Sequence, residues 1–214
     1  MYFVYFVVST MVSQYAFFIN SDACSGCKTC QVACKDRNNL PAGVHWRRVL
    51  EVTAGAWERK GAAWDTSVLA YNLSVACHHC IDPPCASVCS PAAIWKREDG
   101  IVFIDDTRCT RCFACKAECP YGAIRSDPVW AVSKCHFCPD DLAAGKAPVC
   151  VSACPNRALD FGDYDDLKRK YGSIDQVFPL PDPAIARPAL VIKAHRNAAR
   201  AQTGAPEVSN WEEL

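Results

Sequence analysis

The sequence predicts an α+β fold in which one cysteine-bearing unit is used twice. The two copies are related by a pseudo-two-fold axis, with a β-hairpin insertion and an extended C-terminal segment. Three observations predict it. All 16 cysteines of the 214-residue chain fall into four groups of four, with none left over. Groups one (Cys24, Cys27, Cys30, Cys34) and three (Cys109, Cys112, Cys115, Cys119) share the spacing C-x2-C-x2-C-x3-C, whereas groups two (Cys77, Cys80, Cys85, Cys89) and four (Cys135, Cys138, Cys150, Cys154) open C-H-x-C and then lengthen the second gap. Short apolar runs of strand length separate the groups, and repeats of this kind reveal architecture before any single element does.

Residues 1–10 read as an N-terminal extension outside the core, and "VSQYAFFI" after Met11 as the first strand. The extension offers no export signal of its own. No Lys or Arg precedes Lys28, so a positive n-region and a twin-arginine pair are both missing. The apolar run "MYFVYFVV" falls well short of the ~18 residues a membrane helix needs. "FFINSDAC" and "VFIDDTRC" bring the chain into groups one and three in the same way. Three groups also close alike: "CSPAAI", "CPYGAI" and "CPNRAL" place Ala four and Ile or Leu five residues after the last cysteine, while group one departs with "CKDRNN". Proline at Pro120 and Pro155 suits a first helical position, where an N–H would go unused.

Between groups one and two, residues 40–75 alternate apolar and polar residues around Gly-rich turns, which predicts a β-hairpin or small sheet. "GIVFIDD" is another short strand, introduced by the turn ending at Gly100. "DYDDLKRKYG" predicts a brief helix, acidic at its start, basic at its end and stopped by Gly172. "FPLPDPAIARP" reads as an extended connector, "ALVIKAH" as the last strand and residues 196–214 as a tail. The six tryptophans (Trp46, Trp57, Trp64, Trp95, Trp130 and Trp211) read as packing residues.

The cysteine spacing points to 4Fe–4S clusters. A loop with C-x2-C-x2-C wraps three corners of a cube, and the fourth cysteine, at the start of a helical turn, faces away and ligates a neighbouring cube. Sixteen cysteines then make four cubes. Eight disulfides would demand an oxidising compartment but not this repeated spacing. Zinc knuckles use C-x2-C in pairs rather than four cysteines in eleven residues. His78, His79 and His136 stand inside the loops, yet no cysteine is missing for them to replace, so they read as hydrogen-bonding groups. Lys28, Lys35, Arg108, Arg111, Lys116 and Lys134 flank the thiolates and are candidates to favour the reduced clusters. Lys plus Arg and Asp plus Glu balance at 23 each, so nothing marks a nucleic-acid partner. No G-x-G-x-x-G follows a strand, no P-loop occurs, and no cysteine remains as a nucleophile. The chain is therefore expected to move electrons without catalysing a reaction alone. The spacing leaves the pairing of the groups open: one with four and two with three, or one with two and three with four.

The stretches "QYAFFINSDACSGCKTCQVACKDRNNL", "WRRVLEVTAGAW", "WKREDGIVFID", "CPYGAI" and "CPNRALDFG" resemble the four-cluster iron–sulfur subunits of the dimethyl sulfoxide reductase family of molybdoenzymes. The resemblance implies two interlocked bacterial-type ferredoxin-like modules. It implies cluster A on Cys24, Cys27, Cys30 and Cys154, cluster B on Cys34, Cys135, Cys138 and Cys150, cluster C on Cys77, Cys80, Cys85 and Cys119, and cluster D on Cys89, Cys109, Cys112 and Cys115. Residues 77–127 would form the inner module, 11–76 and 128–162 the outer one, and 163–214 the C-terminal segment. It further implies a catalytic partner holding a molybdopterin guanine dinucleotide cofactor, a membrane partner exchanging electrons with quinol, and membrane association through these partners on a face the sequence leaves undecided. The substrate it implies is dimethyl sulfoxide or a related S- or N-oxide; the rival readings are the wire of another family member, for polysulfide, tetrathionate, formate or dimethyl sulfide conversion, and a free-standing polyferredoxin.

Overall fold

The computed structural model describes residues 13–127 and 132–213. The expected extension over residues 1–10, Met11 and Trp130 lie outside the described residues. In chain order the elements are β1 (Tyr15–Asn20), α1 (Thr29–Arg37), β2 (Arg48–Ala54), β3 (Trp57–Lys60), β4 (Ala63–Thr66), β5 (Leu69–Val75), α2 (Pro84–Ser87), β6 (Ile94–Lys96), β7 (Val102–Ile104) and α3 (Ala114–Glu118). They continue with α4 (Pro139–Ala143), α5 (Val149–Ser152), β8 (Leu159–Asp163), α6 (Tyr164–Tyr171), β9 (Leu190–Lys193), α7 (Ala198–Thr203) and β10 (Glu207–Val208). The content is mixed α and β, with small sheets and short helices set around the cysteine loops.

β1 is paired on both edges, as the middle strand of the order β8-β1-β9, antiparallel to β8 and parallel to β9, and covered on both faces, by α6 on one and the cysteine loops on the other. Its alternate side chains divide between two cores. Ala16 and Phe18 pack with Leu167 of α6 and Val191 of β9, and Phe18 stacks on Tyr171 at 3.6 Å between ring centroids. Phe17 and Ile19 face the cysteine loops, where Phe17 stacks on Phe137 at 4.2 Å. α6 sits where the charge pattern places it. Asp163 Oδ1 accepts from the N–H groups of Asp165 (3.0 Å) and Asp166 (3.3 Å), and Asp163 Oδ2 accepts from Ser13 N. Asp163→Ala should cost about 1 kcal/mol, the usual worth of such a cap, read as a lowered midpoint in chemical denaturation.

The second sheet, β10-β2-β5, contains the hairpin read from the sequence. β2 and β5 pair from Arg48↔Val75 to Ala54↔Leu69. Leu69, Tyr71, Leu73 and Val75 bury one face of β5 at period two. The arm continues as the β3–β4 hairpin, which is exposed throughout. Two expectations need correction. Trp57 and Trp64 on that arm, Trp95 on β6 and Trp211 are 62%, 64%, 43% and 75% exposed, because their strands or turns have no second layer over them; Trp46 alone of these five is half-buried, its Nε1 donating to Ser133 Oγ. Residues 196–213 are not a loose tail. They form α7 and β10, and β10 pairs with the free edge of β2 (Val208↔Val52). Asn210 extends that edge by accepting from Glu51 N and donating to Val49 O, both at 2.8 Å. A strand of two residues leaves almost no periodic signal in sequence.

Candidate metal centres

The cysteine loops repeat in backbone conformation as they do in spacing. In groups one and three the second and fourth residues after the first cysteine have positive φ: Gly26 (73°) and Lys28 (57°), Arg111 (57°) and Phe113 (61°). In groups two and four the second residue does so, His79 (45°) and Phe137 (66°). After the last cysteine the third residue does so in three groups, Ala92 (49°), Gly122 (55°) and Arg157 (52°). Left-handed non-glycine residues cost on the order of 1–3 kcal/mol each and persist where function over-determines them. Arg111 shows that Gly26's conformation admits a side chain. A Cβ at Gly26 would stand 2.6 Å from Asn72 Oδ1, so the Asn72 amide would have to swing aside for it.

This geometry explains the shared closing motif. The turn after the last cysteine brings the alanine N–H back onto its sulfur, Ala123 to Cys119 Sγ at 3.4 Å and Ala158 to Cys154 Sγ at 3.3 Å. Ala93, Ala123 and Ala158 are buried, as are Ile94, Ile124 and Leu159 behind them. Further donors face sulfurs elsewhere: Phe137 N to Cys135 Sγ (3.4 Å), Thr29 Oγ1 to Cys27 Sγ (3.3 Å), and Ser74 Oγ beside Cys30 Sγ (3.3 Å). Such contacts are what metal-bound thiolates take, and they tune cluster potentials.

Three cavities are walled by cysteines from two groups each. One is lined by Cys24, Cys27, Cys30 and Cys154, a second by Cys77, Cys80, Cys85 and Cys119, a third by Cys89, Cys109, Cys112 and Cys115. The remaining four, Cys34, Cys135, Cys138 and Cys150, lie within electrostatic reach of one another. Among the described residues no three His, Cys, Asp or Glu side chains crowd closely enough for a single metal ion. A guest bridged by iron and sulfide, larger than one zinc at ~2.3 Å from each sulfur, fits such cages. The secondary structure draws the same groups together. β1, which leads into group one, pairs with β8, which follows group four; β6, which follows group two, pairs with β7, which leads into group three. α1 packs on α5, and α2 on α3. α4 fills the long gap between Cys138 and Cys150.

Burial pushes most of the thiols up: Cys34 and Cys85 to about 12 and Cys115 to about 11, with neighbouring cysteine sulfurs adding to the rise. Cys135, fully buried, goes well above the ordinary thiol value for the same reasons. These thiols ionise for a bound metal, which deprotonates its ligands outright. Cys27 differs: the Thr29 hydroxyl and backbone N–H lower it. Cys27 and Cys112 are the exposed members; the rest are buried or half-buried.

His78, His79 and His136 are held neutral, His78 at about 3, each chiefly by burial and then by neighbouring cations. As expected of hydrogen-bonding groups, His79 Nδ1 accepts from Val102 N and His136 Nδ1 from Cys138 N, both at 3.0 Å; His78 departs from the expectation, its buried Nε2 finding no partner among the described residues and its ring meeting Tyr121 edge-on at 4.5 Å. Of the six flanking cations, Lys28 and Lys134 reach cavity walls. Lys134 is buried, its Nζ donating to Val102 O and Cys135 O. Lys35 is turned to Leu40 O and Pro41 O, and Arg108, Arg111 and Lys116 are exposed. Sequence reasoning missed Arg47, a fully buried guanidinium among Cys30, Cys34, Cys135 and Cys150. Its only sequence signal is an Arg doublet running into an apolar strand.

A 4Fe-4S dicluster domain matches residues 68–164. The B subunit of anaerobic dimethyl sulfoxide reductase from Escherichia coli is 45% identical over 189 residues, which cover 88% of this protein and 92% of that one. Thiosulfate reductase electron transfer subunit PhsB of Salmonella typhi is 40% identical, with 73% and 79% covered, and the B subunit of polysulfide reductase from Wolinella succinogenes 36%, with 77% and 84% covered. With this similarity and its sixteen cysteines, the chain belongs to the family of dimethyl sulfoxide reductase iron–sulfur subunits, electron-transfer proteins carrying four 4Fe–4S clusters.

Proposed function

We propose that the four clusters sit on the sets Cys24, Cys27, Cys30 and Cys154 (A), Cys34, Cys135, Cys138 and Cys150 (B), Cys77, Cys80, Cys85 and Cys119 (C), and Cys89, Cys109, Cys112 and Cys115 (D). They relay electrons in the order A, B, C, D. The single observation that carries this is the cavity geometry: three of the sets wall a cavity each. Neighbouring sets also touch in sequence. Cys30 lies within electrostatic reach of Cys150, Cys135 of Cys77, and Cys85 of Cys115. The exposed cysteines, Cys27 and Cys112, then mark the two ends of the line. Bound clusters supply one-electron redox chemistry; the chain's own part is to hold each thiolate, donate hydrogen bonds to it and keep water from the inner cages.

The matching left-handed residues support two modules exchanged by a pseudo-two-fold axis, an inner one over 77–127 and an outer one from 11–76 and 128–162. In each module the strand before a C-x2-C-x2-C loop pairs with the strand after a C-H-x-C group. Arg48↔Val75, just before Cys77, and the bridge Arg125↔Ser133, just before Cys135, occupy corresponding places. The long β2–β5 hairpin is then an expansion of the short 125–133 connection.

The relay joins a catalytic subunit holding a molybdopterin guanine dinucleotide cofactor to a membrane subunit that exchanges electrons with quinol, with dimethyl sulfoxide or a similar S- or N-oxide as acceptor. The similarity to subunits of dimethyl sulfoxide, polysulfide and thiosulfate reductases supports this. Among the described residues no helix is long and apolar enough to cross a membrane, so membrane association falls to the partners. Purification of the tagged chain from its host under anaerobic, mild conditions should yield about 16 Fe per chain, four per cube, with near-stoichiometric Mo or W and a membrane subunit. The same iron in a chain that travels alone would point to a free ferredoxin instead.

A further inference from the structure

Arg47 is 1% exposed, and its guanidinium is the buried charge hardest to account for in the protein itself. Nη1 donates to Ser74 O (3.3 Å) and Ser74 Oγ (3.2 Å). Nε and Nη2 find no acceptor among the described residues, and no carboxylate there pairs with it. Its plane lies over the Phe17 ring at 4.5 Å. A buried, unpaired cation costs several kcal/mol, so the fold must offer it an anion. Burial pushes its proton affinity down, yet Cys150, Cys30, Cys135 and Cys34 more than restore it. Those four sulfurs belong to sets A and B: Cys30 to A, the others to B. Ser74 completes the link, since the hydroxyl that accepts from Arg47 also lies 3.3 Å from Cys30 Sγ.

We propose that Arg47 is the shared counter-ion of clusters A and B, inserted between them to raise both reduction potentials and to relieve their mutual repulsion. The inference rests on the ligand sets proposed above. A ligated cube becomes more negative on reduction, so a fixed cation close to it in a low-dielectric interior favours the reduced form. Among the described residues the other pair of clusters shares no such cation: the buried Lys134 lines cavity C but not cavity D. Counting back from Cys77 through the Arg48↔Val75 pairing, and from Cys135 through Arg125↔Ser133, the residue in Arg47's place is Ile124, an apolar wall of cavity C. Electrostatic tuning by Arg47 is therefore local to one end of the line.

The test is an EPR-monitored redox titration of the assembled complex carrying Arg47→Met or Arg47→Lys. Signals A and B are assigned first, by their separate loss in Cys27→Ala and Cys138→Ala. If those two variants lose the same signal, the ligand sets fail, and the inference with them. With the signals assigned, Arg47→Met should lower the reduced-to-oxidised ratio of A and B at their original midpoints by about tenfold, a shift of about 59 mV for one electron. C and D should stay in place, and Arg47→Lys should restore most of the change. Unmoved A and B midpoints, an equal shift of all four clusters, or a Lys variant as displaced as the Met variant would overturn the proposal. Should Arg47→Met fail to hold its iron, the Lys variant decides: full iron with near-native midpoints supports the counter-ion, and lost iron or lowered A and B midpoints refute it.

Discussion

Cys154→Ala disrupts the same cluster as Cys27→Ala, and Cys34→Ala the same cluster as Cys138→Ala. In each case iron falls from about 16 to between about 12 and 15 per chain, because a cage of three thiolates leaves at least one iron corner of its cube without a ligand. Electron delivery through the line is interrupted with it, since the proposed order A, B, C, D has no branch around a damaged cube. The expectation follows from the crossed ligand sets proposed above. The turn after Cys154 carries it to the wall that Cys24, Cys27 and Cys30 form, where Ala158 N–H meets its sulfur. Cys34, one helical turn farther along the same face of α1 than Cys30, lies within electrostatic reach of Cys150 and Cys138. Iron analysis with EPR of each variant reads the result directly. If Cys34→Ala and Cys80→Ala extinguished a common signal, groups one and two would be partners, and the crossed sets would be wrong.

Deletion of residues 204–214 should cost the next largest amount, several kcal/mol, with early loss of cluster A. The segment closes a seam. Glu213 O accepts from Arg48 Nη1 (2.5 Å) and from Arg125 Nη2 (3.1 Å), while Glu213 Oε1 accepts from Gln31 Nε2 (2.8 Å) and pairs with Lys28 at 3.5 Å. Gln31 Oε1 in turn takes Val49 N, so group one's helix, the β2 edge and the end of the chain form one hydrogen-bonded unit. Removing a buried partner leaves charges and donors stranded, typically at about 1–3 kcal/mol for each group and more for charged ones. Denaturation followed by the visible absorbance of the clusters measures this. Asn210→Ala is the milder version, since it strips Glu51 N and Val49 O of their partner. An undisturbed midpoint after the deletion would show the segment to be ornamental.

The cysteine groups were legible because their chemistry demands residue type and spacing at once, and both survive in a linear string. β1, the hairpin, α6 and β9 were legible from periodicity and end signals. β6 and β8 were not, since each is short and hidden in the closing motifs "AAIWK" and "RALDFG"; their strand character comes from a partner far along the chain for β8 and from a tight turn for β6. β10 is shorter still. The pairing of groups was ambiguous in sequence because both choices have the same symmetry. Arg47 could not be found by proximity to a cysteine, because the nearest one in sequence is not what places it: the approach to β2 carries it inward, and groups one and four close around it. The exposed tryptophans were misjudged because a large apolar side chain looks the same in sequence whether or not a layer covers it.

The nesting of the sheets also orders events in time. Lys96 meets Val102 across a single turn, so β6 and β7 can join as soon as that short stretch leaves the ribosome. Ile19 must wait for Leu159, and Phe17 for Leu190. Closing the longer loops costs more entropy, by about 0.6 kcal/mol for each doubling of length, and contacts of such separation form slowly. The middle of the chain is therefore a finished workshop while its first strand is still unpaired, and the group-one loop stays accessible to whatever delivers iron until the last third of the protein arrives to cover it.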